Sequence, residues 1–300
     1  MFALWIPVTI AAAFFQNLRS ALQKAIKGRL STTGAAYARF LYALPLSFIY
    51  LWGLSFFYPL PQANAVFLLW CAAGGISQIL FTVTLLWMFG FRSFAVGTTF
   101  SKLEVVLIAV IGGVLLGDTV GPMAGLAIGI GAVGTVILSL NETKLTPGAL
   151  LRGMGEKSTL VGLLCAGLLG ASVVCFRGAA LALDGPDFIM AAAYTLAIAL
   201  TMQTVMMGGW FLAFDRPELA RTLREWRHAL PVGAAGMAAS ACWFTAFTLQ
   251  NAAYVRALGQ IELVFTFLAG VFVFRERTTR AELLGMALVV GAILLLLFAG

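Results

Sequence analysis

Ten stretches of about twenty residues, apolar almost from end to end, leave this chain one kind of environment to fold in. They run over roughly 3–23, 32–56, 64–88, 94–116, 120–140, 159–181, 187–213, 229–250, 254–274 and 280–299. A helix of about 20 apolar residues crosses the roughly 30 Å of hydrocarbon in a bilayer. Turn chemistry separates the stretches: YPLPQAN (58–64), GDTVGP (117–122), DGPD (184–187) and RERTTR (275–280). Composition agrees, with 61% hydrophobic and 10% charged residues among 300, against about 45–50% and about 25% in soluble domains. Every backbone polar group in lipid must be bonded within the chain. The sequence therefore predicts an all-α integral membrane protein of ten transmembrane helices. A β-barrel would show alternating segments of about ten residues instead.

A net charge of +7 would suggest nucleic acid in a soluble protein, but here it reads as topology. Number the loops one to nine. The odd loops hold Lys24, Lys27, Arg29, Arg92, Lys144, Arg152, Lys157, Arg216, Arg221, Arg224, Arg227, Arg275, Arg277 and Arg280, which is 14 of the 19 basic residues. The even loops and both termini hold none, and Asp118, Asp184 and Asp187 sit there. The positive-inside rule then puts the odd loops in the cytoplasm and both termini outside, with a bacterial inner membrane as the expected location. The first apolar segment has no basic region before it and no small-residue cleavage site, so a cleavable signal is not expected. Between the seventh and eighth spans, DRPELARTLREWRHAL (215–230) reads as an amphipathic surface helix. It starts at Asp215 and Pro217, with Leu219, Leu223, Trp226 and Leu230 on one face.

Catalytic and cofactor chemistry find little footing. Cys71, Cys165, Cys175 and Cys242 lie inside apolar stretches, where cysteine behaves as a small hydrophobe. His228 is the only histidine, so no metal cluster is expected. No GxxxxGK[ST] loop or nucleophile elbow is present, so neither an enzyme nor a nucleotide-driven pump is expected, and no cofactor.

The chain also repeats itself. At an offset of 158 residues, Arg19 falls on Arg177, Ala21 on Ala179, Ala95 on Ala253, Glu104 on Glu262, Gly112 on Gly270 and Asp118 on Glu276; Gly125 meets Gly285 after a two-residue insertion. One register that recovers rare in-membrane Arg and Glu is hard to reach by chance. Two five-helix repeats follow, 1–140 and 159–300, with 141–158 as linker. Five is odd, so the halves insert upside down to one another. Inverted repeats imply alternating access around a site near the midplane.

The ends of the halves carry a resemblance. GGVLLGDTVGPMAGLAIGIGAVGTVIL (112–138) and GVFVFRERTTRAELLGMALVVGAILLL (270–296) resemble the closing segments of EamA-type transporters of the drug/metabolite superfamily. Phe274, Glu276, Arg277 and Gly285 match the family pattern, whereas the first half has Asp118-Thr119 in place of Glu-Arg. The resemblance implies ten helices, transport, and a cavity lined by helices 1, 3 and 4 with their partners 6, 8 and 9. It leaves the substrate open among amino acids, sugars, nucleosides, cations and drugs. It also implies termini inside for many relatives, against the charge count here.

Glu104 falls near the middle of the fourth span and Glu262 near that of the ninth. Asp at such depth costs about 2.5–3.5 kcal/mol and Glu should be comparable; such groups mark substrate or proton pathways or find partners. Two readings stand: a cavity carboxylate that exchanges a proton for substrate, or a structural partner for Arg19 or Arg39. The Glu104 face carries Gly97, Ser101, Ile108 and Gly112, which suits a water-filled wall or a close helix contact. Lys102 points about 200° away from Glu104, so the two are not a local pair. Its repeat counterpart is Gln260, and it meets either a substrate anion or Glu262. Arg256 is expected at the outer interface. Gln78, Trp87 and Trp243 are candidate cavity residues, Arg177 is the counterpart of Arg19, and Trp5, Trp52 and Trp70 are expected as interface anchors.

The expected function is a monomeric secondary transporter, exporting a small polar or amphiphilic metabolite such as an amino acid, with protons as possible co-substrate. The alternative is an exporter of lipophilic or quaternary cations, which needs an unpaired carboxylate and an aromatic cage.

Overall fold

The computed structural model describes residues 3–26, 28–88, 94–185, 187–272 and 278–299. Lys27, Arg92, Phe274, Arg275, Glu276 and Arg277 lie outside the described residues, and with them most of the family pattern at the end of the second half.

The described residues form helices throughout: α1 (Trp5–Ala25), α2 (Thr32–Leu41), α3 (Ala43–Ser55), α4 (Ala65–Met88), α5 (Phe94–Ser101), α6 (Glu104–Leu116), α7 (Pro122–Thr143), α8 (Pro147–Arg152), α9 (Lys157–Leu181), α10 (Phe188–Phe214), α11 (Arg216–Arg224), α12 (Trp226–Leu249), α13 (Ala252–Gly259), α14 (Ile261–Phe272) and α15 (Arg280–Ala299). Six of them, α4, α7, α9, α10, α12 and α15, are long and apolar enough to cross a membrane. The other four expected spans fall on α1, whose Gln16, Asn17, Arg19 and Ser20 dilute its apolar character, and on three broken pairs, α2/α3, α5/α6 and α13/α14.

The first break has a plain cause. Pro45 carries no N–H for the carbonyl of Leu41 and its ring crowds that carbonyl, and the helix restarts after Tyr42. The other two breaks fall at Lys102–Leu103 and at Gln260, without proline. The expected surface helix is shorter than its amphipathic pattern. It stops at Arg224, and Trp226 and Leu230 belong to α12, which continues through Pro231. Asp215 caps α11 by accepting the N–H of Glu218 at 3.2 Å. The expected linker holds α8 and one 3₁₀ turn.

Packing divides the chain into two compact units, 1–76 with 175–250 and 77–174 with 251–300. Each unit draws on both halves of the sequence. In the first, α12 packs against α1, α2, α3 and α10. Its core joins Phe40 and Ala43 to Leu196 and Leu200, and Leu51 to Met190, Ala193 and Ala197. Trp5, expected as an interface anchor, is 7% exposed there, whereas Trp52 is 66% exposed. In the second unit α7 packs along α15. A Cβ at Gly134 would lie 2.8 Å from the Gly285 carbonyl oxygen; small residues let membrane helices approach this closely. Gly117, at φ 69°, ends α6 in the left-handed region, and the Asp118 N–H returns to the Gly112 carbonyl at 3.2 Å.

Candidate substrate and coupling site

The second unit holds the two breaks that matter. α5 ends at Ser101, where the N–H groups of Lys102 and Leu103 reach only three residues back, to Thr99 (3.2 Å) and Phe100 (3.1 Å). α6 then opens on Glu104. In the other half the N–H of Gln260 reaches Ala257 at 3.2 Å, and α14 opens with Glu262 in its first turn. The offset of 158 residues carries Lys102 onto Gln260 and Glu104 onto Glu262. The two interruptions therefore lie 158 residues apart, each with a carboxylate in the first turn of the helix that follows. Unbonded N–H groups and the helix dipole favour an anion there. Glu104 was expected inside a continuous helix; it begins one.

Glu104 is ion-paired to Arg256 of α13, with side chains 13% and 10% exposed. Arg256 is thus buried, not interfacial, and it takes the place expected for Arg19 or Arg39 beside Glu104. Glu262 lies within Coulombic range of Arg256, and its main-chain carbonyl accepts the Thr266 hydroxyl at 3.0 Å. Lys102 has no carboxylate within ion-pair distance among the described residues, so the expected pair with Glu262 is not formed. It lines a cavity of about 10 Å³ with Thr135, Gln260, Val105, Ile128 and Val289, room for about one water. Thr135 Oγ1 lies 3.3 Å from Gln260 Oε1. Two residues 158 positions apart, one a cation and one a neutral amide, share that cavity.

The small-residue face beside Glu104 is a packing surface. A Cβ at Gly97 would fall against the Ser158 carbonyl, one at Gly162 against the Gly97 backbone, and one at Gly170 would lie 3.2 Å from Ile108 Cγ1. α9 rides on these positions, so close contact and not a water-filled wall explains them. Beyond α6, loop 117–121 is fastened to the start of α13: Asn251 Nδ2 donates to the Thr119 carbonyl at 3.3 Å, and the Gly121 N–H donates to Tyr254 Oη at 3.1 Å. Gln78 accepts the Thr82 hydroxyl on its carbonyl at 3.0 Å. Trp87 is 59% exposed.

The first unit holds the remaining candidates. Arg177 donates from one guanidinium nitrogen to the carbonyls of Phe247 and Gln250, the latter at 2.6 Å, closing the C-terminus of α12. Cations at helix C-termini are stabilising, so Arg177 is a helix cap. Trp243 is 7% exposed, stacks on Phe247 and donates Nε1–H to Gln16 Oε1 at 3.0 Å. Arg19 and Arg39 lie on α1 and α2; the Arg39 guanidinium sits 4.4 Å from the Phe40 ring centre.

No proline marks the breaks at Lys102 and Gln260, although weak helix formers precede both, Thr98 to Ser101 and Gly259. What the sequence did carry was an in-membrane polar residue two positions before a Glu, twice, in one register.

No curated protein matches this chain. One solved protein structure superposes on it with a TM-score of 0.72 at 15% identity, covering 98% of this chain and 97% of that one, a likeness of fold. Residues 157–298 match the EamA-like transporter family. That match spans a little under half of the chain, so it is the second half that is similar to EamA-like transporters.

Proposed function

We propose that the protein is a secondary transporter that exports a small polar metabolite, such as an amino acid, by alternating access of two inverted five-helix repeats, 1–140 and 159–300. The supporting observation is the matched interruption of α5/α6 and α13/α14, each followed by a carboxylate. In such carriers, discontinuous helices bring backbone ends and charges to the midplane. The Arg256–Glu104 pair supplies the coupling step. A proton taken up by Glu104 would release Arg256 toward a substrate carboxylate, while Glu262 meets the substrate ammonium. Lys102 offers a second cation from the turn beside Glu104. Pairing of Glu104 with an arginine counts against a cage for lipophilic cations. The basic odd loops put the α1–α2 loop on the cytoplasmic side.

Reconstituted protein tests this directly. Glu104→Gln and Glu262→Gln should both insert, and at least one should lose proton-driven amino-acid counterflow in liposomes. Wild-type, pH-gradient-dependent counterflow in both variants removes the coupling role.

A further inference from the structure

The surface helix α11 joins two apolar helices with almost no slack. Asp215 alone separates it from the end of α10 and Glu225 alone from the start of α12, and both neighbours are long and apolar enough to cross a bilayer. α11 therefore lies where hydrocarbon gives way to water. It is also firmly seated within unit 1. Glu218 accepts the Ser31 N–H at 2.7 Å, and the Tyr42 hydroxyl donates to the Thr222 carbonyl at 2.9 Å. At the start of α12, Ala229 and Val232 are buried in one cluster with Ile26 and Leu30.

Charge is not balanced along this segment. Its carboxylates are all engaged: Asp215 caps α11, Glu218 pairs with Arg221 at 3.1 Å, and Glu225 meets Arg29 at 3.5 Å and His228 at 3.0 Å. Arg216, Arg224 and Arg227 are exposed, with no carboxylate within ion-pair distance among the described residues. Arg216 donates its Nε–H to the Leu212 carbonyl at 2.8 Å, and the Arg227 guanidinium lies 5.4 Å from the Trp226 ring centre. Apolar side chains stand beside these cations. At 100° per residue, Arg216, Leu223 and Arg224 share the side of α11 turned away from the buried Glu218 and Thr222. Trp226, Arg227 and Leu230 likewise share the side of α12 turned away from Ala229 and Val232. Leu223 and Trp226 are half-exposed.

We propose that this face, Arg216, Arg224 and Arg227 with Leu223, Trp226 and Leu230, is a docking site for anionic phospholipid, its headgroup against the arginines and its acyl chains along the apolar side chains. The site goes beyond transport and does not depend on it. Guanidinium matches phosphate oxygens in pairs. Indole rings favour the headgroup level, and an amphipathic helix with a basic face is drawn to anionic lipid. A zwitterionic headgroup brings its own ammonium and so offsets less of the arginine charge. A soluble acidic peptide could meet the arginines but would leave Trp226 and Leu230, in the first turns of a helix that crosses the bilayer, facing water.

The test uses the full chain in detergent micelles, mixed with equimolar phosphatidylglycerol and phosphatidylcholine and released into native mass spectrometry. Phosphatidylglycerol should be retained at least about fivefold over phosphatidylcholine, and Arg224→Gln and Arg227→Gln should each weaken its retention about fivefold, the worth of one basic residue at an anionic surface. Arg224→Lys should keep most of it. Arg152→Gln, in the 141–158 linker, should leave it unchanged, and unaltered thermal midpoints without added lipid show that the variants are folded. Equal retention of the two lipids by the wild type overturns the proposal, as does wild-type retention of phosphatidylglycerol in both Gln variants. An equal loss in Arg152→Gln reduces the binding to diffuse charge and also overturns it. So does displacement of phosphatidylglycerol by inorganic phosphate at constant ionic strength, which assigns the arginines to a soluble anion.

Discussion

Arg256 is the residue whose loss should cost the second unit most. With side chains 10% and 13% exposed, the Arg256–Glu104 pair is a buried one, and removing one partner of such a pair strands the other at about 3–5 kcal/mol. The two directions are unequal here. Arg256→Met leaves Glu104 and Glu262 without the cation that acts on both, so the full penalty of about 3–5 kcal/mol applies. Glu104→Gln leaves Arg256 within range of Glu262, so the loss is closer to one charge-assisted hydrogen bond, about 1.5–3 kcal/mol. In the double variant the stranded charge at position 104 is gone, and the two changes should couple by about 1–3 kcal/mol. The assay is reversible unfolding in mixed micelles titrated with SDS, followed by tryptophan fluorescence. Arg256→Met within about 0.5 kcal/mol of wild type, the range of uninvolved surface changes, would refute the reasoning; so would strict additivity of the two substitutions.

Two further outcomes follow from packing. Gly162→Ala would set a methyl group 2.8 Å from the Gly97 carbonyl carbon and 2.9 Å from its Cα, and backbone cannot swing aside, so about 1–3 kcal/mol of stability should be lost. Gly167→Ala in the same helix meets nothing within 4 Å and should be neutral or slightly stabilising in the same assay; equal losses at both positions would contradict the close approach. Glu218 is 4% exposed, accepts the Ser31 N–H at 2.7 Å and pairs with Arg221 at 3.1 Å. Its replacement by Ala should cost about 1–3 kcal/mol and speed amide exchange at Ser31. Unchanged exchange there removes this tie between α11 and the start of α2.

Much of the site was visible before any fold was known, but as positions without partners. Glu104, Glu262, Lys102 and Gln260 stand out because ionisable and amide groups are rare in an apolar run, and the 158-residue register set them in two pairs. The helix breaks beside them were not visible, since neither carries Pro, and the weak helix formers there, Gly259 before Gln260 and Thr98 to Ser101 before Lys102, also occur in unbroken membrane helices, where Gly is frequent. Arg256 was misplaced because distance from a span's end is a poor guide to depth once that span is interrupted at Gln260. Trp5 was misplaced for a related reason: a terminal Trp reads as an interface anchor until tertiary packing covers it.

By itself the sequence determined the medium and the class of element, because hydropathy over about twenty residues and the need to bond every peptide group in lipid act locally, with no partner to consult. It also carried the matches at a 158-residue offset, which are a property of order along the chain. Only the tertiary structure decided that Glu104 meets Arg256, 152 residues away, that Arg177 closes a helix end, and that the glycine stripe seats α9. Charge pairing and close packing depend on where distant segments come to lie, and the energy that selects among them has no trace in either segment alone.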